Sequence, residues 1–199
     1  MRVCLLRHGE TAWNAQGRYL GRTDLPLTPA GRAALGPAGF TPALVYVSPL
    51  RRTAETAEIL FPGAEQSAVP DFREMDFGVF EGRSWRDMED FAPYREWVDG
   101  GCRGPVPGGE SMEGFCQRTC AAFEALMDRA AEAGEPLLAI VAHGGTQMAV
   151  LERFALPRRD YFSWRGPLGG GFVLDGSRWR EERYLTLLDT VGDRRGERE

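Results

Sequence analysis

The chain has 199 residues, enough for one domain of ordinary size that buries about 70% of its unfolded surface without a covalent staple. Hydrophobic residues at 43% and charged residues at 27% exclude a disordered or collagen-like chain. A net charge of −5 weighs against nucleic acid or an anionic membrane as a partner. All 24 basic residues are arginine, which excludes a Schiff-base lysine and a lysine-bearing phosphate loop. Genomic composition accounts for such a bias by itself, although arginine's planar fork is also the better clamp for a phosphate.

Val3 to Leu6 form a short apolar run that stops at Arg7-His8-Gly9-Glu10, the pattern of a buried central strand ending in a polar loop. The run is far too short for a signal peptide or a membrane span. Thr28 caps a helix opened by Pro29. Leu44 to Val47 is a second apolar run, stopped by Ser48-Pro49, which opens a helix through about Leu60 that Pro62-Gly63 ends. The stretch 80–110 carries Trp85, Phe91, Tyr94 and Trp97 and fits no alternation; it reads as a helical excursion that covers something.

Ser111 with Gly114 starts a long helix through about Ala133, closed by Gly134. Leu137 to Ala142 is a third apolar run, stopped by His143-Gly144-Gly145, and a helix follows from about Thr146 to Phe154. Gly169 to Leu174 and Arg183 to Leu188 read as late strands pairing antiparallel at one side, and 192–199 as a charged, disordered tail. Strands alternating with helices predict an α/β fold with a mostly parallel sheet, in one domain over 1–191. Cys4, Cys102, Cys116 and Cys120 form no CxxC pair and read as small apolar fillers, which suits a reducing cytoplasm.

The chain has 2 histidines, and both follow an apolar run and precede glycine: Arg7-His8-Gly9 and Ala142-His143-Gly144. In a parallel sheet the carboxyl ends of the strands share one edge, where ligands bind. For one histidine a structural role has about twice the weight of a functional one; two in the same setting reverse that balance. Arg7 adjoins His8, and Arg51 and Arg52 follow the second run at the same edge. Two arginines at a helix start are disfavoured by the helix dipole unless something else holds them, so the cluster reads as an anion site.

Leu6-Arg7-His8-Gly9-Glu10-Thr11 with Trp13-Asn14 resembles the signature of the histidine phosphatase superfamily, in its phosphoglycerate-mutase-like branch. The likeness continues through residues 21–28 with Gly31, through 48–57, through 72–78 with Glu81-Gly82, and through 141–145, five motifs in order over 3 to 145. Thr53 stands where the family usually has alanine. The resemblance implies a three-layer α/β/α fold with the 80–110 excursion over the active-site edge. It implies His8 as nucleophile and Glu74 as general acid, with Asp76 and Glu81 as competing carboxylates. Arg7, Asn14, Gly21, Arg52, His143 and Gly144 would bind phosphate or substrate. It implies no metal and no cofactor, and a small phosphomonoester as the partner. The short chain is similar to the small bacterial phosphatases, a group that includes α-ribazole phosphatase. A cofactor-dependent phosphoglycerate mutase and a silent phosphate-binding module are the other readings. Trp85, Tyr94 and Trp97 either stand at the site's mouth or pack the excursion; the oligomeric state stays open.

Overall fold

The apolar runs become the centre of a seven-stranded sheet in the computed structural model, which describes residues 1–192. The tail expected over 192–199 therefore lies, from 193 on, outside the described residues. The strands are β1 (Arg2–Arg7), β2 (Leu44–Val47), β3 (Glu65–Ala68), β4 (Leu137–Ala142), β5 (Ala155–Leu156), β6 (Gly171–Asp175) and β7 (Leu185–Val191). Their order is β3-β2-β4-β1-β6-β7-β5. β1 to β4 run parallel, β5 is parallel to β7, and β6 is antiparallel to both β1 and β7. The helices are α1 (Ala12–Ala15), α2 (Pro29–Ala33), α3 (Arg51–Leu60), α4 (Ala92–Asp99), α5 (Met112–Ala133), α6 (Gly144–Phe154) and α7 (Trp179–Glu182).

Strand alternation sorts the core into two layers. Val3, Leu5, Leu138, Ile140 and Ala142 face a large cluster with Phe115, Phe123 and Leu126 of α5 and Val150 of α6. Leu6, Val45, Val47, Ala139 and Val141 face the other side, with Ala57 and Leu60 of α3. Side chains of one strand therefore meet helices on both faces, which explains why β1, β2 and β4 read as continuous apolar runs.

Several boundaries are corrected. α6 begins at Gly144, two residues before the expected Thr146. α3 starts at Arg51 with Leu50 at its N-cap, a side chain with no acceptor, and the Ser48 hydroxyl two residues earlier meets His143. β7 starts at Leu185 because Arg183, at φ 54°, ends the short α7. The caps of α2 and α5 are as read: Thr28 accepts from the Gly31 amide, Ser111 accepts from the Gly114 amide, and Gly134 closes α5 in the left-handed region at φ 68°.

In the excursion, Phe80 and Trp97 are buried and Tyr94 partly so. Tyr94 meets the Tyr19 hydroxyl at 3.0 Å, and the Tyr19 ring lies edge-on to Trp97. Trp97 thus packs the excursion onto the 18–21 segment, whereas Trp85 is exposed with Arg86 beside its ring. Among the described residues no helix is long and apolar enough to cross a membrane.

Candidate active site

Register brings the chemistry together. Arg7 pairs with Ala142 and Val47 with Val141, so β1, β2 and β4 end side by side. His8, Ser48 and His143 follow those ends directly. The His8 amide donates to Ala142 O at 3.0 Å, and the two imidazole centroids stand 5.3 Å apart, inclined at 64°. Both histidines are buried.

The His8 tautomer is set by its own loop. Nδ1 lies 2.7 Å from Gly9 O, and a carbonyl only accepts, so Nδ1 carries the proton and Nε2 keeps its lone pair. The Gly9 amide is in turn held by Thr56 Oγ1 of α3 at 2.9 Å. His143 Nε2 sits 2.7 Å from Ser48 Oγ. That oxygen also accepts from the Leu50 amide, so its proton is available to Nε2 and the His143 proton falls on Nδ1. Burial, followed by the charge of Arg52 and other neighbours, drives both imidazoles well below their ordinary value. Both are neutral at pH 7.

Two arginines complete the cluster. Arg52, at 0% exposure, donates Nη1 to Thr23 O at 3.0 Å and Nη2 to Gly21 O at 2.8 Å. Arg7 donates Nη1 to Gly166 O at 3.0 Å. Burial lowers both guanidinium values to about 10, aided at Arg7 by the exposed Arg165. Arg7 Nε, Arg52 Nε and His143 Nδ1 are buried donors with no hydrogen-bond partner among the described residues. Six such side-chain atoms occur among the described residues, and three of them belong to this one cluster. Orphaned buried donors are costly, so their concentration at one place marks a site shaped for an anion.

Glu74 is buried beside the arginines, its Oε2 accepting from the Gly145 amide at 3.1 Å and its Oε1 from the Met75 amide at 3.0 Å. A Cβ at Gly145 would stand 2.1 Å from Glu74 Oε1, and one at Gly144 would stand 3.3 Å from Arg7 Nε. At Gly145 only hydrogen fits against Glu74 as it is posed, whereas at Gly144 a Cβ would press tightly on Arg7. A groove of about 580 Å³, lined by Met1, Arg2, Phe40 and Leu188 among others, contains neither histidine, so the chemistry of the residues identifies the site.

The profile of the histidine phosphatase superfamily (branch 1) matches residues 3–178. The chain belongs to that superfamily. A relative that bears a phosphoglycerate mutase name, GpmB of Cronobacter sakazakii, is 38% identical over 153 residues, 72% of this chain and 70% of its own. The α-ribazole phosphatase of Shigella flexneri superposes with a TM-score of 0.79 at 27% identity, covering 94% of this chain and 95% of that one. A phosphoglycerate mutase from Thermus thermophilus superposes with a TM-score of 0.69 at 32% identity, covering 96% and 98%.

Within this member of the superfamily, five of the residues singled out in the sequence converge: Arg7, His8, Arg52, Glu74 and His143. Gly21 is buried against Met75 O and gives its carbonyl to Arg52. Asn14 completes the capping box of α1, its Oδ1 taking the Thr11 amide at 3.1 Å. The competing carboxylates are committed elsewhere: Glu81 holds Arg22 and Thr23, and Asp76 holds the Gly78 amide and Arg22. Arg51 pairs with Glu55 of its own helix. Sequence reasoning missed Ser48 as the partner of His143, and Gln147, which ties Leu5 O and the Gly166 amide together beside Arg7. It also missed Arg165. Ser48 opens the 48–57 motif, but its contact with His143 is visible only in space; no motif marks Gln147 or Arg165. Among the described residues no group of three or more His, Cys, Asp or Glu could hold a metal ion.

Proposed function

We propose that this chain is a phosphomonoesterase that hydrolyses a small phosphorylated metabolite through a phosphohistidine on His8. The observation that carries the reading is the trio of unpartnered buried donors, Arg7 Nε, Arg52 Nε and His143 Nδ1, around an imidazole whose Nε2 is left to attack. In the first step His8 Nε2 forms a bond to phosphorus and the ester P–O bond breaks in line. The three donors stabilise the charge that builds on the equatorial oxygens. Glu74, entering as the acid, gives its proton to the leaving alkoxide. The proton on His8 Nδ1 stays there, donated to Gly9 O, and that hydrogen bond stabilises the positive charge of the phosphorylated ring. In the second step Glu74 takes a proton from water, the hydroxide attacks phosphorus, and inorganic phosphate leaves with His8 restored.

Residues 1–191 act in this reading as one catalytic unit, with 80–110 as its cap. The likeness to an α-ribazole phosphatase over nearly the whole chain supports hydrolysis, and α-ribazole phosphate as a substrate to try. Four free cysteines support a reducing, cytoplasmic setting. A mutase is the second reading, favoured by the GpmB relative. Both share the first step and differ in whether water or a bound phosphoglycerate receives the phosphoryl group.

A panel of phosphomonoesters, including α-ribazole phosphate and 3-phosphoglycerate with and without bisphosphoglycerate, assayed in EDTA, separates them. Phosphate release that survives the chelator is expected. Isomerisation exceeding phosphate release would replace the hydrolase reading with the mutase, and loss of turnover restored by a divalent metal would overturn the arginine-based mechanism.

A further inference from the structure

We propose that Arg118 and Glu110 form a positioning pair that sets the pose of Glu74, an inference that rests on Glu74 being the general acid. Glu74 lies between two single turns, Pro70–Phe72 and Gly78–Phe80, in a stretch that no helix or strand holds. Its backbone must be fixed from outside. Arg118, on α5, spends all its donors there. Nη1 donates to Asp71 O at 2.8 Å and Arg73 O at 2.9 Å. Nη2 donates to Glu74 O at 3.2 Å and Glu110 Oε2 at 2.8 Å, and Nε donates to Glu110 Oε1 at 2.7 Å. A guanidinium has five N–H groups, and each is used.

Glu110 grips the far side of the same stretch. Its Oε2 accepts from the Asp76 amide at 3.0 Å, and its own amide donates to Asp76 O at 2.9 Å. Glu74 thus sits between carbonyls held by Arg118 and a peptide held by Glu110. Packing anchors Phe72 and Met75 in the core, but the polar side of the stretch borders a cleft of about 90 Å³, lined by Arg22, Arg73, Glu74, Asp76, Glu110 and Arg118, where hydrogen bonds hold the backbone. Glu110 stays charged: burial pushes its carboxyl up, but Arg118 and the Asp76 amide bring it below its ordinary value. As a simple ion pair at 18% and 30% side-chain exposure the pair would add little stability. Its bidentate geometry fixes direction instead. The carboxylate so placed meets the Gly145 amide, and a displacement of about 1 Å in a reacting group costs on the order of 10²-fold in rate.

The test compares single-turnover phosphorylation by an alkyl phosphate, whose leaving group needs a proton, with that by p-nitrophenyl phosphate, whose leaving group scarcely does. Arg118→Met should slow the alkyl ester about 10- to 100-fold and the nitrophenyl ester by no more than about threefold. In a Glu74→Gln background the same change should add no more than about threefold, since the group it positions is gone. Arg118→Lys, with one nitrogen for five bonds, should fall between. Equal losses on both substrates, or losses that multiply in the double variant, would overturn the proposal. Glu110→Gln, which keeps the shape and weakens the grip, carries the same comparison if Arg118→Met fails to fold. Should Glu74→Gln itself slow both esters equally, the general-acid reading fails and the positioning role falls with it. A discriminating Glu74→Gln with a non-discriminating Arg118→Met overturns the positioning role alone.

Discussion

Arg52 has no exposed atom and works at both ends of its guanidinium. Two nitrogens hold Gly21 O and Thr23 O, and the third is the unpartnered Nε. A lysine has one nitrogen at that place. It keeps the charge and three N–H donors, yet all three radiate from one atom and cannot span the separated positions of two carbonyls and an incoming oxyanion as the planar fork does. Arg52→Lys should therefore lower kcat by about 10²–10³, the usual cost of one preorganised transition-state donor. Steady-state assay of a variant with unchanged thermal midpoint checks this. A rate within about threefold of the parent would move the phosphate clamp away from Arg52. Glycine matters here for the opposite reason. At Gly145 the missing Cβ is what lets the Glu74 carboxylate rest on the start of α6.

The elements differ in how plainly the sequence announces them, and the reason is burial. β1 and β4 are buried on both faces, and β2 on one with the other half-buried, so they appear as unbroken apolar runs. The ends of α5 were legible because Ser111 and Gly134 supply local chemistry that does not depend on the rest of the molecule. β3, Glu65-Gln66-Ser67-Ala68, lies mostly exposed at the sheet edge and shows no apolar alternation. α7 is a single turn held by the buried Trp179, whose Nε1 donates to Asp128 at 2.8 Å. The start of α6 was hidden because Gly144 and Gly145 look like a turn, and only contact with Arg7 and Glu74 explains them. The same limit applies to the site. Arg7, His8, Arg52, Glu74 and His143 stand in recognisable strings. Ser48, Gln147, Glu110 and Arg118 act through partners 95, 142, 34 and 44 positions away, a relation that the linear chain does not display.

At the scale of the molecule, two buried neutral histidines couple the site to global stability. Burial and the arginine charges depress both imidazoles in the folded chain, whereas the unfolded chain takes up protons near pH 6.5. Below that value the unfolded state binds more protons. Stability present above about pH 6.5 is then lost as the pH falls, at up to about 1.4 kcal/mol per pH unit for each histidine. Glu55 and Glu110 have lowered values, because hydrogen bonds and arginines outweigh the upward push of burial. Their share of stability is lost only lower, as the pH drops through the carboxylate range near 4. The thermal midpoint should thus decline between about pH 7 and 5, and a His8→Asn, His143→Gln double variant should flatten that decline. An equally steep decline in the variant would contradict the neutral assignment of the pair.

The central claim is that His8 carries the phosphoryl group, and rapid-quench labelling tests it most directly. Substrate bearing labelled phosphorus should leave an acid-labile, base-stable label on the protein within the first turnover. Peptide mapping should place it on His8, and His8→Ala should abolish it. Label on His143, or undiminished label in His8→Ala, would contradict the account.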